Sequence, residues 1–341
     1  MNLRMIGLDL AKTVFQVHGT DGAGRVVVKK QLRRSQVLPF FANVPNCRVA
    51  MEACASAHYW ARKLQALGHT VQLIPPQYVK PFVKRNKNDA ADAEAICEAM
   101  GRPNMPSVPV KNVEQQAILS VHRARQGLVK ARTAQANQIR GLLAEYGYVL
   151  PKGIAQISKR VPAIIENGEN ELPGCFRLLM QRLVEHLKEL GRQVGELTLE
   201  IQRWHRENAA SQKLSKIPGL GPISATALAA SVGDARSFKN GRQLAAWLGI
   251  VPRQHSSGGK PTLLGISKRG DCYLRTLLIH GARAVIKAAE HRADADPWIK
   301  RLIARRNKNI ATVALANKNA RTIWALLARD REYEPSYRMT S

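Results

Sequence analysis

Acidic residues are scarce. The 341-residue chain has 25 Asp and Glu against 53 Lys and Arg, a formal net charge of +28. Such a field attracts polyanions, and nucleic acid is the commonest of them. The excess peaks late, with 22 basic and 8 acidic residues from Leu214 onward. Long apolar runs are also missing. None approaches the ~20 residues of a membrane span, and there is neither a segregated amphipathic helix nor a lipid anchor, so no membrane partner is expected. The opening MNLRMIGLDL lacks the apolar stretch and small-residue cleavage site of a signal peptide, which predicts a cytoplasmic protein. Cysteine is sparse and unpaired in pattern. Cys47, Cys54, Cys97, Cys175 and Cys272 are odd in number with no CxxC, which argues against a disulfide frame or a zinc site.

What remains divides into three segments and a short tail, residues 336–341. Over residues 1–108, strand and helix signals alternate. RMIGLDL, TVFQVHGT and GRVVVKKQL read as three strands, with DGAG as a turn between the last two; CRVAMEAC and HTVQLIPP read as two more. Helices are expected near Ser35 to Ala42, over Ala57 to Leu67, and in NKNDAADAEAICEAM, where Asn88 can cap and alanines fill. The order predicts a mixed α/β sheet with helices packed on it. Residues 109–209 read as almost wholly helical. Phe176, Met180, Leu183, Leu187, Leu190, Val194, Leu197, Ile201 and Trp204 step by four and three, the seam of a coiled coil. Its partner is either Val113 to Tyr146, whose stripe is broken by Arg125 and Arg132, or a second copy of the chain. Residues 210–335 read as mainly α. There IPGLG between two helical runs resembles a helix-hairpin-helix, with Pro218, Gly219 and Gly221 bringing backbone N–H groups to a phosphate.

Seven acids precede residue 109, and four of them carry a pattern. Asp9 sits inside an apolar strand on the face opposite Ile6 and Leu8, Glu52 follows the apolar strand of Val49 to Met51, and Asp89 and Asp92 are three apart on a helix and share a face. Singly, each reads equally well as a salt-bridge partner or a solvated helix face. Gathered at strand ends they would repel one another unless a cation sat among them, and hard oxygen donors suit Mg²⁺ or Mn²⁺. The order is that of a RuvC-like, RNase H-type DEDD core.

Taken together and in order, IGLDLAK, MEACASAHYW, NKNDAADAEAI, IPGLGPISA, LAAWLGIVPRQHSSGGK and GISKRGDCYLR resemble the IS110-family transposases, nearest the IS1111 subgroup. The resemblance implies a RuvC-like N-terminal domain using Asp9, Glu52, Asp89 and Asp92, and a serine nucleophile in a C-terminal loop. PRQHSSG places that serine at Ser257, with Ser256 as its rival. A seryl ester of the broken strand would conserve the bond for rejoining. Arg253, Lys260, Lys268, Arg269 and Arg275 would grip phosphates, and His255 is the titratable base of the loop. The resemblance further implies donor and target DNA, a structured guide RNA encoded by the element, a dimer or tetramer with a composite site, and a bacterial, nucleoid-associated location. Two alternatives stand beside it: a Holliday-junction-type nuclease that activates water with the same acids, and a non-catalytic nucleic-acid-binding protein.

Overall fold

The computed structural model describes residues 2–83 and 89–335, the Asp89 side chain excepted. The helix-capping role expected of Asn88 and the tail from residue 336 lie outside the described residues. The chain forms two compact units that divide after Val113.

In the N-terminal unit, β1 (Met5–Asp9), β2 (Val14–Thr20), β3 (Val26–Arg33), β4 (Arg48–Glu52) and β5 (Thr70–Ile74) form one sheet in the order β3-β2-β1-β4-β5. The first three strands meander antiparallel, and β4 and β5 join in parallel. Parallel neighbours need a crossover. These are supplied by α1 (Val37–Ala42) before β4 and α2 (Ala57–Ala66) before β5, followed by α3 (Pro76–Val79) and α4 (Asp89–Met100). The α/β expectation holds, and this sheet fits a RuvC-like domain.

Alternation along the strands sorts the two faces. Ile6 and Leu8 of β1 and Val49 and Met51 of β4 join Phe15, Trp60 and Leu64 in one core. Gly7 and Ala50 face the other way, under α4, where Ala50 packs with Ala95, Ile96 and Ala99. A Cβ on Gly7 would overlap the Ala93 carbonyl and lie 2.6 Å from the Cys97 nitrogen. Glycine on the strand and alanines on the helix are what let the two backbones approach this closely. The direction of α4 follows from two contacts. Thr20 Oγ1 lies 3.7 Å from Cys97 Sγ, and Arg48 donates to the Met100 carbonyl at 3.4 Å. Thr20 and Arg48 both pair with Met5 at the start of β1. So α4 runs against β1, and its first turn overlies the C-terminal ends of β1 and β4.

The second unit opens with α5 (Val113–Ala144), α6 (Ile154–Glu166) and α7 (Gly174–Glu207). The seam of α7 faces inward. Phe176, Met180 and Leu187 pack with Ala136, Ile139 and Leu143 of α5 and Ile157 and Val161 of α6. Ile201 meets Ile118 at the other end, so α5 and α7 run antiparallel within one chain. Arg125 breaks the stripe of α5 because its Nε donates to Thr198 Oγ1 of α7 at 2.7 Å. What α7 leaves exposed is a different set, Leu178, Leu179 and Leu199.

Next come α8 (Ala209–Ser215), α9 (Pro222–Val232), α10 (Gly241–Trp247), strands β6 (Pro252–Ser257) and β7 (Lys260–Ile266), then α11 (Cys272–Ala289), α12 (Pro297–Arg305) and α13 (Lys308–Ala328). Leu228, Leu244, Leu278, Ala316 and Ile323 lie at the centre of one shared core. Helix α13 is capped by Asn307, whose side chain accepts from the Asn309 amide. The segment expected to be a loop is an antiparallel hairpin, β6 with β7. No helix among the described residues is long and apolar enough to cross a membrane.

Candidate active site and its supporting network

Leu8 pairs with Met51, so Asp9 and Glu52 each stand one residue beyond the same rung, on adjacent parallel strands. Alternation from Gly7 and Ala50 puts both on the face that α4 covers. Asp9, Glu52 and Asp92 are each half-buried, and Asp92 lies in the first turn of α4, which overlies these strand ends. Asp89 begins that helix; its side chain lies outside the described residues. The thiol of Cys54 senses the pair. Its pKa is pushed up by partial desolvation and then by the negative charges of Glu52 and Asp9. Among the described residues, no group of three or more His, Cys, Asp or Glu could by itself hold a metal ion. Asp9, Glu52 and Asp92 come from two strand ends and one helix turn, and carboxylate oxygens are the donors that Mg²⁺ or Mn²⁺ requires.

The serine segment has the opposite character. Every residue of β6 is exposed. Gly258 and Gly259 form the two-residue turn with φ of 55° and 75°, the doubly left-handed geometry of a type I′ hairpin. Ser257 therefore pairs with Lys260 across the turn, Ser256 with Pro261 and His255 with Thr262. Pro261 has no N–H. It sits where alternation in a ladder closed at Ser257 and Lys260 asks for no cross-strand donor, which helps fix the register. The hairpin's root is held by main-chain bonds, Ser267 N to Val251 O at 2.8 Å and Lys268 N to Gly249 O at 3.0 Å. Asn317 of α13 adds a bond to the Ile250 carbonyl at 3.1 Å.

Two family models match in order. Residues 6–148 match a DEDD-type IS110 transposase domain, and residues 211–297 match "Transposase IS116/IS110/IS902 family". A "Probable family 20 transposase" of Pseudomonas aeruginosa is 55% identical over 337 residues, covering 98% of this chain and 100% of its own. The chain belongs to the IS110/IS116/IS902 transposase family. The transposase for insertion sequence element IS1111A of Coxiella burnetii is 44% identical over 97% of this chain and 92% of its own. That for IS1328 of Yersinia enterocolitica is 43% identical over 95% and 97%.

Within this transposase the expected phosphate-gripping residues are not equivalent. Arg253, Lys260, Lys268 and Arg269 are exposed. Arg275 is half-buried, and its guanidinium reaches main-chain carbonyls of Leu248 and Gly270 at 3.4 and 3.5 Å. In IPGLG, Pro218 and Gly221 are exposed. Gly219 has φ of 89° and meets the backbone of Gly281 on α11, where a Cβ would lie 2.7 Å from the Gly281 carbonyl oxygen. One side of this turn is thus a helix-packing contact, with Asn319 also donating to the Pro218 carbonyl at 3.2 Å.

The sequence did not single out His122, which is 1% exposed on α5. Thr226 Oγ1 on α9 donates to the Pro222 carbonyl at 2.7 Å, which leaves it to accept from His122 Nε2 at 2.9 Å. His122 Nδ1 then accepts from the Tyr273 hydroxyl on α11 at 3.0 Å. The neutral ring thus ties three helices together. Burial, and secondarily Arg125, lowers its pKa to about 4. The sign is clear. The unfolded imidazole, near pH 6.5, takes a proton before the folded one does, so stability is full above pH 6.5 and falls as pH drops toward 4. The loss approaches about 3 kcal/mol at the acid end. Urea midpoints at pH 7 and pH 4.5 should differ more for the wild type than for His122→Gln. Equal differences would remove His122 from the account.

Proposed function

We propose that this protein moves an insertion sequence by cutting and exchanging DNA strands through a covalent Ser257–phosphate link. The observation that carries the reading is the placement of Asp9 and Glu52 one residue beyond the Leu8–Met51 rung of adjacent strands, under the turn of α4 that bears Asp92. Asp9, Glu52, Asp89 and Asp92 are the residues that would hold a divalent cation, which would polarise the scissile phosphate and stabilise charge on it. Ser257 is freely presented on the hairpin, and membership of a transposase family supplies the class of reaction. Donor and target DNA are the partners, with an element-encoded guide RNA choosing the sequence. The excess of positive charge serves both. The flanking segments keep separate duties. Residues 1–108 hold the acids, residues 109–209 assemble copies through the exposed side of α7, and residues 210–335 carry the serine and the helix-hairpin-helix-like IPGLG contact. A dimer or tetramer would let the acids of one copy meet the serine of another.

Trapping tests this. Protein purified with its co-purifying RNA and a duplex spanning the element's end should yield a denaturant-resistant protein–DNA adduct. Ser257→Ala should lose it, and Ser256→Ala should keep it. Normal cutting by Ser257→Ala, with no adduct in the wild type, would instead establish a nuclease that activates water.

A further inference from the structure

We infer that the hairpin face bearing Ser257 is built to handle the phosphate, with His255 receiving the seryl proton and Lys260 holding the non-bridging oxygens. The inference rests on the serine-transfer reading above. It comes from the register. Side chains alternate along a strand, and directly opposed residues share a face. Ser257 opposite Lys260 and His255 opposite Thr262 therefore put all four on one side of the ribbon. Gln254, Ser256, Pro261 and Leu263 take the other side. There Gln254 Nε2 donates to Ser256 Oγ at 2.8 Å. One face thus offers an imidazole, an ammonium and two hydroxyls; the other offers a serine already engaged by an amide, a proline and a leucine. The same register separates the two adjacent serines, which sequence alone left as rivals.

The spacings suit the chemistry. Opposed residues in a ladder have Cβ atoms about 5 Å apart, and a lysine stem spans that gap to a phosphate on its neighbour's oxygen. Residues two apart on a strand are roughly 7 Å apart along the chain, a gap that two side chains leaning toward each other can close. The charged groups on the two strands are Arg253 and Lys260, and neither strand carries an acid. In the step itself, the Ser257 Oγ–phosphorus bond forms as the bond from phosphorus to the departing deoxyribose oxygen breaks. The seryl proton passes to a ring nitrogen of His255, and the departing oxygen takes its proton from water. Rejoining runs the same path in reverse.

The test measures the rate of adduct formation by the full-length protein on a duplex spanning the element's end, with co-purified RNA retained. His255→Ala should slow capture by about 100-fold or more, the range of a lost general base. Duplex binding should be unchanged, and added imidazole should restore the rate for this variant but not for Ser257→Ala. Lys260→Ala should slow capture by about 100-fold, with part regained in Lys260→Arg. Wild-type capture rates in His255→Ala, or no response to imidazole, overturn the role of His255. An unchanged rate in Lys260→Ala overturns that of Lys260. Strand exchange with no adduct even in the wild type is a different failure: it removes the serine-transfer reading and this inference together.

Discussion

Asp9→Asn should lower strand cleavage on the order of 10³-fold while leaving duplex binding intact or slightly tighter, as should Glu52→Gln. On the proposed reading, the rate loss follows from removing an anionic oxygen donor from a site that would stabilise charge on a phosphate, where single polar contacts are worth about 10²–10³ in rate. The binding effect has the opposite sign because the chain already carries a net charge of +28. Neutralising one carboxylate removes a repulsion toward a polyanion. The two readouts move apart only if the acids do chemistry. A gel-shift titration beside a single-turnover cleavage assay measures both. Equal cleavage by wild type and both variants would return the N-terminal unit to a binding role.

Gly7→Ala is the second substitution with a large expected effect. The added methyl has nowhere to go, since α4 presents main-chain atoms there, the Ala93 carbonyl and the Cys97 amide, which cannot swing aside as a side-chain end could. Overpacking of this kind costs about 1–3 kcal/mol. The helix must lift, and it carries Asp92 with it. The expected result is a lower denaturation midpoint for the N-terminal unit, followed through Trp60, its one tryptophan. The Mg²⁺ or Mn²⁺ concentration needed for half-maximal cleavage should also rise. A midpoint within error of the wild type would show that α4 is not seated on Gly7 as described.

The parts legible in the sequence were those whose signal is local. The strands ending at Asp9 and Glu52 announce themselves as apolar runs, and the α7 seam as a heptad, with Phe176, Met180, Leu187 and Ile201 buried along it. The heptad could not say which helix answers it. That answer needs the antiparallel pairing of α5 with α7 and the Arg125–Thr198 bond that makes a broken stripe acceptable. Gly7 read only as a small residue in a strand, because the constraint on it is set by a helix more than 80 residues later. The hairpin was hidden for another reason. PRQHSSGGKPTLLGI lacks alternating apolar and polar residues because neither face enters a core. Its one strand signal is the Gly258–Gly259 pair, which a basic, glycine-rich stretch disguises as looseness. His122 gave no signal either: a lone histidine on a helix says nothing until Thr226 and Tyr273 arrive beside it.

A two-stranded ribbon with both edges open and no core beneath it is only marginally ordered in water. In this protein that ribbon carries the serine, anchored firmly at one end and unsupported along its length. Its attitude is therefore set at the root alone, by the bonds to Val251 and Gly249. On the serine-transfer reading, reactivity would be deferred until a correctly seated duplex orients the ribbon, and an idle copy on unrelated DNA would stay chemically silent.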